Sequence, residues 1–370
     1  MNENQIFDKD EDVLVVDIPK EQRHLNTTSY DYSIEFLVSL MQGVRPKIIL
    51  EVPFQRKYVW KDDKASQLVE SIIMNVPIPP IYFAEEEDGR WLVIDGLQRL
   101  NSLLRFFQNE FALKKLGILG DLDKMKFKDL PPKAAGLLTN GQLRINVIKK
   151  DSHPDIKFDI FMRLNKGAVT LNYQELRNCL YRGPLNDLAK EIVKTNNDYL
   201  TILNLKEPHT RFLDVEFVVR YFALKETITL DAEGNYIIEN YNGRLVTFLN
   251  GYMALHKIIT QEKLAQLNSS FTSMIQKVVQ VFGLEEAFKN PLEEKAKVNK
   301  ALADCIMLSF DFFAIEQLIS KKDMIKQRLK ELLEEDEVFR NSISQRTSDK
   351  DVFNYRINKW IKELNNVLEL

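Results

Sequence analysis

The chain has 370 residues, 45% of them apolar and 28% charged, with a formal net charge of −3. That length accommodates one large core or two domains, and the balance is that of an ordinary globular protein. The slight negative charge excludes a protein that grips nucleic acid through a basic field over its whole surface, so any DNA contact is expected to be local, weak or made by a partner. No apolar run is long enough to span a bilayer, and the opening MNENQIFDKDEDV is acidic and polar, unlike a signal peptide. The only cysteines, Cys179 and Cys305, have no CxxC partner, which argues against a disulfide framework and a thiolate zinc site. A cytoplasmic location with no membrane partner is the expectation.

In chain order, the pattern is mixed at first and mainly helical later, with a change near residue 150. Asp31 to Gln42 has helical apolar spacing, Lys47 to Val52 is strand-like, and Asp62 to Met74 reads as a helix capped by Asp62 or Asp63, with Leu68 and Ile72 inward. Pro77 to Phe83 leads into a hairpin, because Asp88-Gly89 lies between Ile81-Tyr82-Phe83 and Trp91-Leu92-Val93. Leu143 to Ile148 is a further strand, followed by a helix from Pro154 to Leu164. Long helical segments follow, notably Asp187 to Lys194, Asp214 to Leu224, Leu245 to Ile259, Lys263 to Phe282 and Asn299 to Ile319. A local hairpin over Ile228 to Tyr241 interrupts them. The expectation is an α+β protein with a polar segment over 1–29, a mixed domain over 30–150 and a helical domain over 151–370.

Two segments carry the chemistry. Val52-Pro-Phe-Gln-Arg-Lys-Tyr-Val-Trp60 and Val93-Ile-Asp-Gly-Leu-Gln-Arg-Leu100 each leave an apolar run and contain a Gln-Arg pair. The second then enters a periodic segment with Leu100, Leu103, Leu104 and Phe107 on one face, giving the order strand, Asp-Gly turn, helix. Such a turn aims free backbone N–H groups and the positive end of a helix dipole at an anion, and Gly96 removes the side chain that would obstruct it. Arg56 and Arg99 add planar, permanently charged forks suited to phosphate, while Gln55 and Gln98 both donate and accept. Asp95 is placed to hold Mg²⁺ through water or to orient a water molecule. Alone, Asp-Gly-x-Gln-Arg is a weak signal, since Asp-Gly is common in turns and an arginine nearby often pairs with a carboxylate; the pairing of the two segments strengthens it.

Other residues carry a structural reading beside the functional one. Phe54, Tyr58 and Trp60 are expected to hold their loop against the core, with Tyr58 the one that contacts ligand. Arg163, Asn165, Glu175 and Arg177 cluster around a helix end, where Asn165 is by default a C-cap and Glu175 pairs with an arginine. Basic residues gather at Arg45, Lys47, Lys57, Lys61 and Lys64, and again from Lys321 to Lys330, where interleaved acids mark a solvated face. His24, His153, His209 and His256 have no metal-ligand spacing, and no nucleophile triad is visible.

Four segments in order, VPFQRKYVW (52–60), SIIMNVPIPPIYFAE (71–85), WLVIDGLQRLNSL (91–103) and FMRLNKGAVTLNYQELRN (161–178), resemble the N-terminal domain of GmrSD-type restriction endonucleases, of the ParB/sulfiredoxin-like superfamily. RFLDVEFVVRYFA (211–223) and FLNGYM (248–253) resemble its short, stand-alone branch. The family pattern usually reads Asp-Gly-Gln-Gln-Arg; here Leu97 replaces the first Gln, a departure compatible with phosphate binding that puts the hydrolytic rate in question. Asn101 stands where Thr or Ser is common.

The resemblance implies a ParB/sulfiredoxin-like fold with a small mixed sheet, then a mainly helical domain. It implies an NTP (ATP, GTP or CTP) with Mg²⁺, phosphates at Asp95 to Arg99 with Asn101 and Ser102 beside them, and Gln55, Arg56 and Tyr58 closing from the other loop. Asp95, Gln98 and Arg99 would be catalytic; Asn165, helped by Arg163, would complete the phosphate and metal environment with Asp95. The larger enzymes carry an HNH nuclease domain, which needs histidines, and none follows His256. The expected role is therefore a nucleotide-binding regulator, a slow NTPase or else a non-hydrolysing switch, of a prokaryotic restriction or anti-phage system. Its expected partners are DNA, a separate nuclease or methyltransferase subunit, or a second copy of the chain.

Overall fold

A computed structural model describes residues 25–50, 60–164, 172–294 and 296–369. They form two compact units that divide between residues 171 and 172.

The first unit is built on a mixed five-stranded sheet. In chain order its elements are β1 (Thr27–Ser33), α1 (Ile34–Leu40), β2 (Ile48–Ile49), α2 (Asp62–Ile73), β3 (Ile81–Glu85), β4 (Trp91–Asp95), α3 (Leu97–Phe107), α4 (Pro132–Asn140), β5 (Gln142–Ile148) and α5 (Pro154–Leu164). The strands lie in the order β1-β5-β3-β4-β2. β1 runs antiparallel to β5 and β3 to β4, while β3 is parallel to β5 and β2 to β4. Alternation along the strands sends Ile81, Phe83, Val93, Ile145 and Val147 into one core with Leu37 of α1, Val69 of α2 and Leu103 and Phe106 of α3. Ala84, Leu92, Ile94 and Ile148 are buried outside that core, and α5 packs against β4 with Phe158 and Phe161 buried.

Two sequence expectations change here. The helix expected from Asp31 starts only at Ile34, because Tyr30 and Tyr32 alternate with exposed Ser29 and Asp31 and pair with β5 as a strand; Ser33 then caps α1, accepting from the Phe36 N–H at 3.3 Å. At α2 the cap position is Lys61 with no side-chain bond, and Asp62 and Asp63 occupy the first turn, where they complement the dipole and pair with Lys114 and Lys115.

The second unit is helical apart from one hairpin: α6 (Tyr173–Leu180), α7 (Pro184–Thr195), α8 (Asn197–Ile202), α9 (Leu213–Thr227), β6 (Ile228–Leu230), β7 (Tyr236–Ile238), α10 (Leu245–Leu255), α11 (Gln261–Glu286), α12 (Lys300–Phe310), α13 (Ile315–Ser320), α14 (Lys322–Glu335), α15 (Glu337–Ser342) and α16 (Lys350–Glu369). Every residue of α12 is buried, so this helix is the centre of the unit. The helix expected over Asn299 to Ile319 breaks after Phe310, where Asp311 accepts from the Tyr221 hydroxyl and Lys225, each at 2.8 Å. The α+β assignment, with a small mixed sheet followed by helices, holds. No helix among the described residues is long and apolar enough to cross a membrane.

Candidate functional site

β4 ends at Asp95, Gly96 turns the chain, and α3 begins at Leu97. Gly96 has φ 100° and ψ 6°, a left-handed conformation that L side chains rarely adopt. A Cβ there would also lie 2.9 Å from Ile81 Cγ1 and 3.1 Å from Cγ2, so both backbone shape and close approach call for glycine. The first turn of α3 holds no acidic side chain, and by helix geometry its leading N–H groups have no intrahelical acceptor. A helix start of this kind is one at which an anion is favoured.

Arg99 lies beside this turn. Its Nη2 donates to Asp95 Oδ2 at 2.7 Å and to the Pro80 carbonyl at 3.1 Å, and its Nη1 donates to the Pro79 carbonyl. The Arg99 side chain is 12% exposed and that of Asp95 43%. Burial pulls the Arg99 guanidinium below its ordinary value and the adjacent Asp95 carboxylate opposes that; a guanidinium nevertheless stays charged. The two proline carbonyls are partners that sequence reasoning missed, because backbone acceptors leave no residue-type signal.

Gln98 Oε1 accepts from the Trp60 N–H at 3.2 Å, tying the end of the first segment to the start of α3. Trp60 packs against the core, as expected of it, with Lys64 Nζ 4.5 Å from its ring centroid. Asn101 Nδ2 donates to the Leu97 carbonyl at 3.0 Å, and the buried Ser102 hydroxyl donates to the Gln98 carbonyl at 2.7 Å. Both side chains thus bond back onto α3. Leu97 packs against the hydrophobic core. Arg163 is 70% exposed and pairs with Asp159 one turn back at 2.8 Å. Phe54, Gln55, Arg56, Lys57, Tyr58 and Asn165 lie outside the described residues. Of the first basic cluster, Arg45 pairs with Asp88 at 3.5 Å, and Lys47 donates to the Gly89 carbonyl.

No group of three His, Cys, Asp or Glu among the described residues is arranged to hold a metal. Asp95 stands as a lone carboxylate with one oxygen engaged by Arg99, a donor set that fits an ion carried in by phosphates better than a resident one.

Within the second unit the other charged candidates have structural partners. Glu175 closes a capping box with Asn172 and pairs with Arg211 at 3.0 Å. Arg177, 1% exposed, pairs with Glu216 at 2.8 Å and donates to Asn250 at 3.0 Å. Lys300 approaches Glu216 at 3.5 Å, and Arg220 grips Asp304 at 2.5 to 2.9 Å. Burial raises the Glu216 carboxyl, but Lys300, Arg177 and Arg220 together bring it below its ordinary range.

These features define a small mixed-sheet domain with a strand–glycine–helix turn at Gly96. Residues 37–182 match the family model of the GmrSD restriction endonuclease N-terminal domain. The match begins in α1 and ends two residues beyond α6. None of the curated proteins matches the chain. Among solved structures, a Pnob8-like ParB-N domain aligns at 14% identity over 93% of this chain and 98% of that one, with a TM-score of 0.22.

Proposed function

We propose that this chain is a nucleotide-binding regulatory protein of a restriction or anti-phage defence system, and that its first unit is a slow, Mg²⁺-dependent NTPase. The observation that carries the reading is the glycine turn at Gly96 with Arg99 fixed beside it at the start of α3. In this reading the phosphates of an NTP sit on the N–H groups of Leu97 and Gln98, and Arg99 neutralises their charge. Gln55 and Arg56 approach from the first segment, Tyr58 contacts the nucleotide, and Asn165 with Arg163 completes the site. Asp95 would hold a Mg²⁺ ion bound to those phosphates, and the ion would supply charge neutralisation. Positioning and charge account for most of the effect in phosphoryl transfer, so no covalent intermediate on the protein is needed. Gln98 holds the first segment at Trp60, which makes it a positioning group as well as a candidate for orienting water.

A second reading, a switch that binds nucleotide without hydrolysing it, is favoured by Leu97, which is packed on the core and offers no amide. A phosphate-release assay at saturating nucleotide separates the two. Release above the no-enzyme rate, lost in Arg99→Ala, supports the NTPase; tight binding with no release supports the switch. The family name supports a restriction setting. A separate nuclease or methyltransferase subunit, DNA, and self-association are proposed partners on that basis.

A further inference from the structure

The register of the sheet places a row of polar side chains next to the glycine turn. Asp95 on β4 lies opposite Tyr82 on β3, Tyr82 lies opposite Asn146 on β5, and Asn146 lies opposite Ser29 on β1. Directly paired residues share a face, so these four side chains form one line across four strands. It is the face away from the main core, since the residues flanking Tyr82 and Asn146, Ile81, Phe83, Ile145 and Val147, are core residues. A bulge between Tyr82 and Phe83 brings Asp95 into the line; without it the partner of Tyr82 would be Ile94.

The row is open to ligand. Asp95, Tyr82 and Asn146 are half-buried and Ser29 is exposed, whereas farther along the same face Ala84, Leu92 and Ile148 are buried. The Tyr82 hydroxyl makes no hydrogen bond to another described residue. Asn146 is oriented: the Ser29 hydroxyl donates to its Oδ1 at 2.8 Å, which turns Nδ2 away from Ser29 as a donor. A tyrosine ring with a polar tip and a fixed amide suit a partner that is flat and carries hydrogen-bond acceptors.

We infer that this row seats the nucleoside of the nucleotide whose phosphates the Gly96 turn holds, with Tyr82 against the sugar or base and Asn146 reading a base acceptor. The inference rests on the phosphate-cradle reading above and adds to it the determinants of base preference. Strands are spaced about 4.8 Å apart, so Asn146 lies roughly 10 Å from Asp95 across the sheet, comparable to the reach from the phosphates of a nucleotide to its base. Tyr82 and Asn146 are therefore specificity residues, and Ser29 is a positioning residue that acts through Asn146.

The test is isothermal titration of the full chain with ATP, GTP, CTP, UTP and inorganic tripolyphosphate, for wild type, Tyr82→Ala, Asn146→Ala and Ser29→Ala, with thermal unfolding to confirm that each variant is folded. The expected result is a loss of about tenfold or more in affinity for the preferred nucleotide in Asn146→Ala and Tyr82→Ala. The differences between bases flatten, and tripolyphosphate binding matches wild type. Ser29→Ala gives a smaller loss in the same direction. Unchanged nucleotide affinity and base preference in both Asn146→Ala and Tyr82→Ala, with tripolyphosphate still bound, would overturn the nucleoside row and leave the phosphate cradle standing. If wild type binds neither tripolyphosphate nor any nucleotide, the cradle falls and the row falls with it.

Discussion

Arg99 on α3 and Asp95 at the end of β4 form an ion pair, Nη2 to Oδ2 at 2.7 Å, across the glycine turn at the mouth of the candidate site. The arginine is held on its other side by the Pro79 and Pro80 carbonyls, so its position is set by the protein before any ligand arrives. Preorganised charge of this kind loses little on binding, because it needs no reorganisation when a phosphate approaches.

Gly96→Ala should be damaging for two separable reasons. The left-handed backbone costs a non-glycine residue about 1–2 kcal/mol, and the new methyl meets Ile81 at 2.9 Å. The expected outcome is a lowered urea midpoint together with loss of phosphate affinity. Ile81→Ala in the same chain relieves the contact but not the backbone cost, so a recovery of stability that is only partial checks the assignment.

Glu70 holds the loop after α3 in place. Its carboxylate accepts the N–H groups of Ile118 and Leu119 at 2.8 Å and of Gly117 at 3.1 Å. Burial raises its pKa, but the three backbone donors outweigh that and the carboxyl titrates below the ordinary glutamate range. A depressed folded value means stabilisation that is present above the unfolded pKa and lost as pH falls through the folded one. Glu70→Gln should therefore cost about 1–3 kcal/mol near neutrality, and the gap between wild type and variant should narrow in unfolding curves as the pH is taken below the ordinary glutamate range.

The buried pair Arg220–Asp304 ties α9 to the central helix α12. Removing one charge leaves the other buried and uncompensated, so Asp304→Ala should destabilise by about 3–5 kcal/mol. The double variant Arg220→Met with Asp304→Leu should recover most of that loss. Denaturant unfolding followed by tryptophan fluorescence reads both, since Trp360 donates to Ser309 on α12 at 3.0 Å.

Much of this was legible in the sequence, and the reasons are local. The hairpin of β3 and β4 followed from Asp88-Gly89 between apolar runs, and α3 from the spacing of Leu100, Leu103 and Phe107 after Asp95-Gly96. The helix Pro154–Leu164 lies where the sequence pattern puts it, to within the approximate bounds expected. β1 was missed because Tyr30, Tyr32, Ile34 and Leu37 fit a helical face as readily as a strand running into a helix, and only pairing with β5 decides between them. At the site, the residue types in the strand–turn–helix and the pairing of its arginine with the nearby carboxylate were readable, but the backbone partners were not. The hold of Pro79 and Pro80 on Arg99, and the line from Asp95 through Tyr82 to Asn146, depend on sheet order and register, which a single sequence does not carry. Glu175 and Arg177 show the opposite case: charged residues beside a recognised motif, engaged by Arg211, Glu216 and Asn250 as internal ties.

The most direct test is isothermal titration of the full chain with ATP, GTP and CTP in the presence of Mg²⁺, comparing wild type with Arg99→Ala. Wild type should bind at least one nucleotide, and Arg99→Ala should lose most of that affinity while remaining folded. Binding that is equal in the two proteins, or absent from well-folded wild type, would contradict the placement of a nucleotide's phosphates at Gly96 and Arg99.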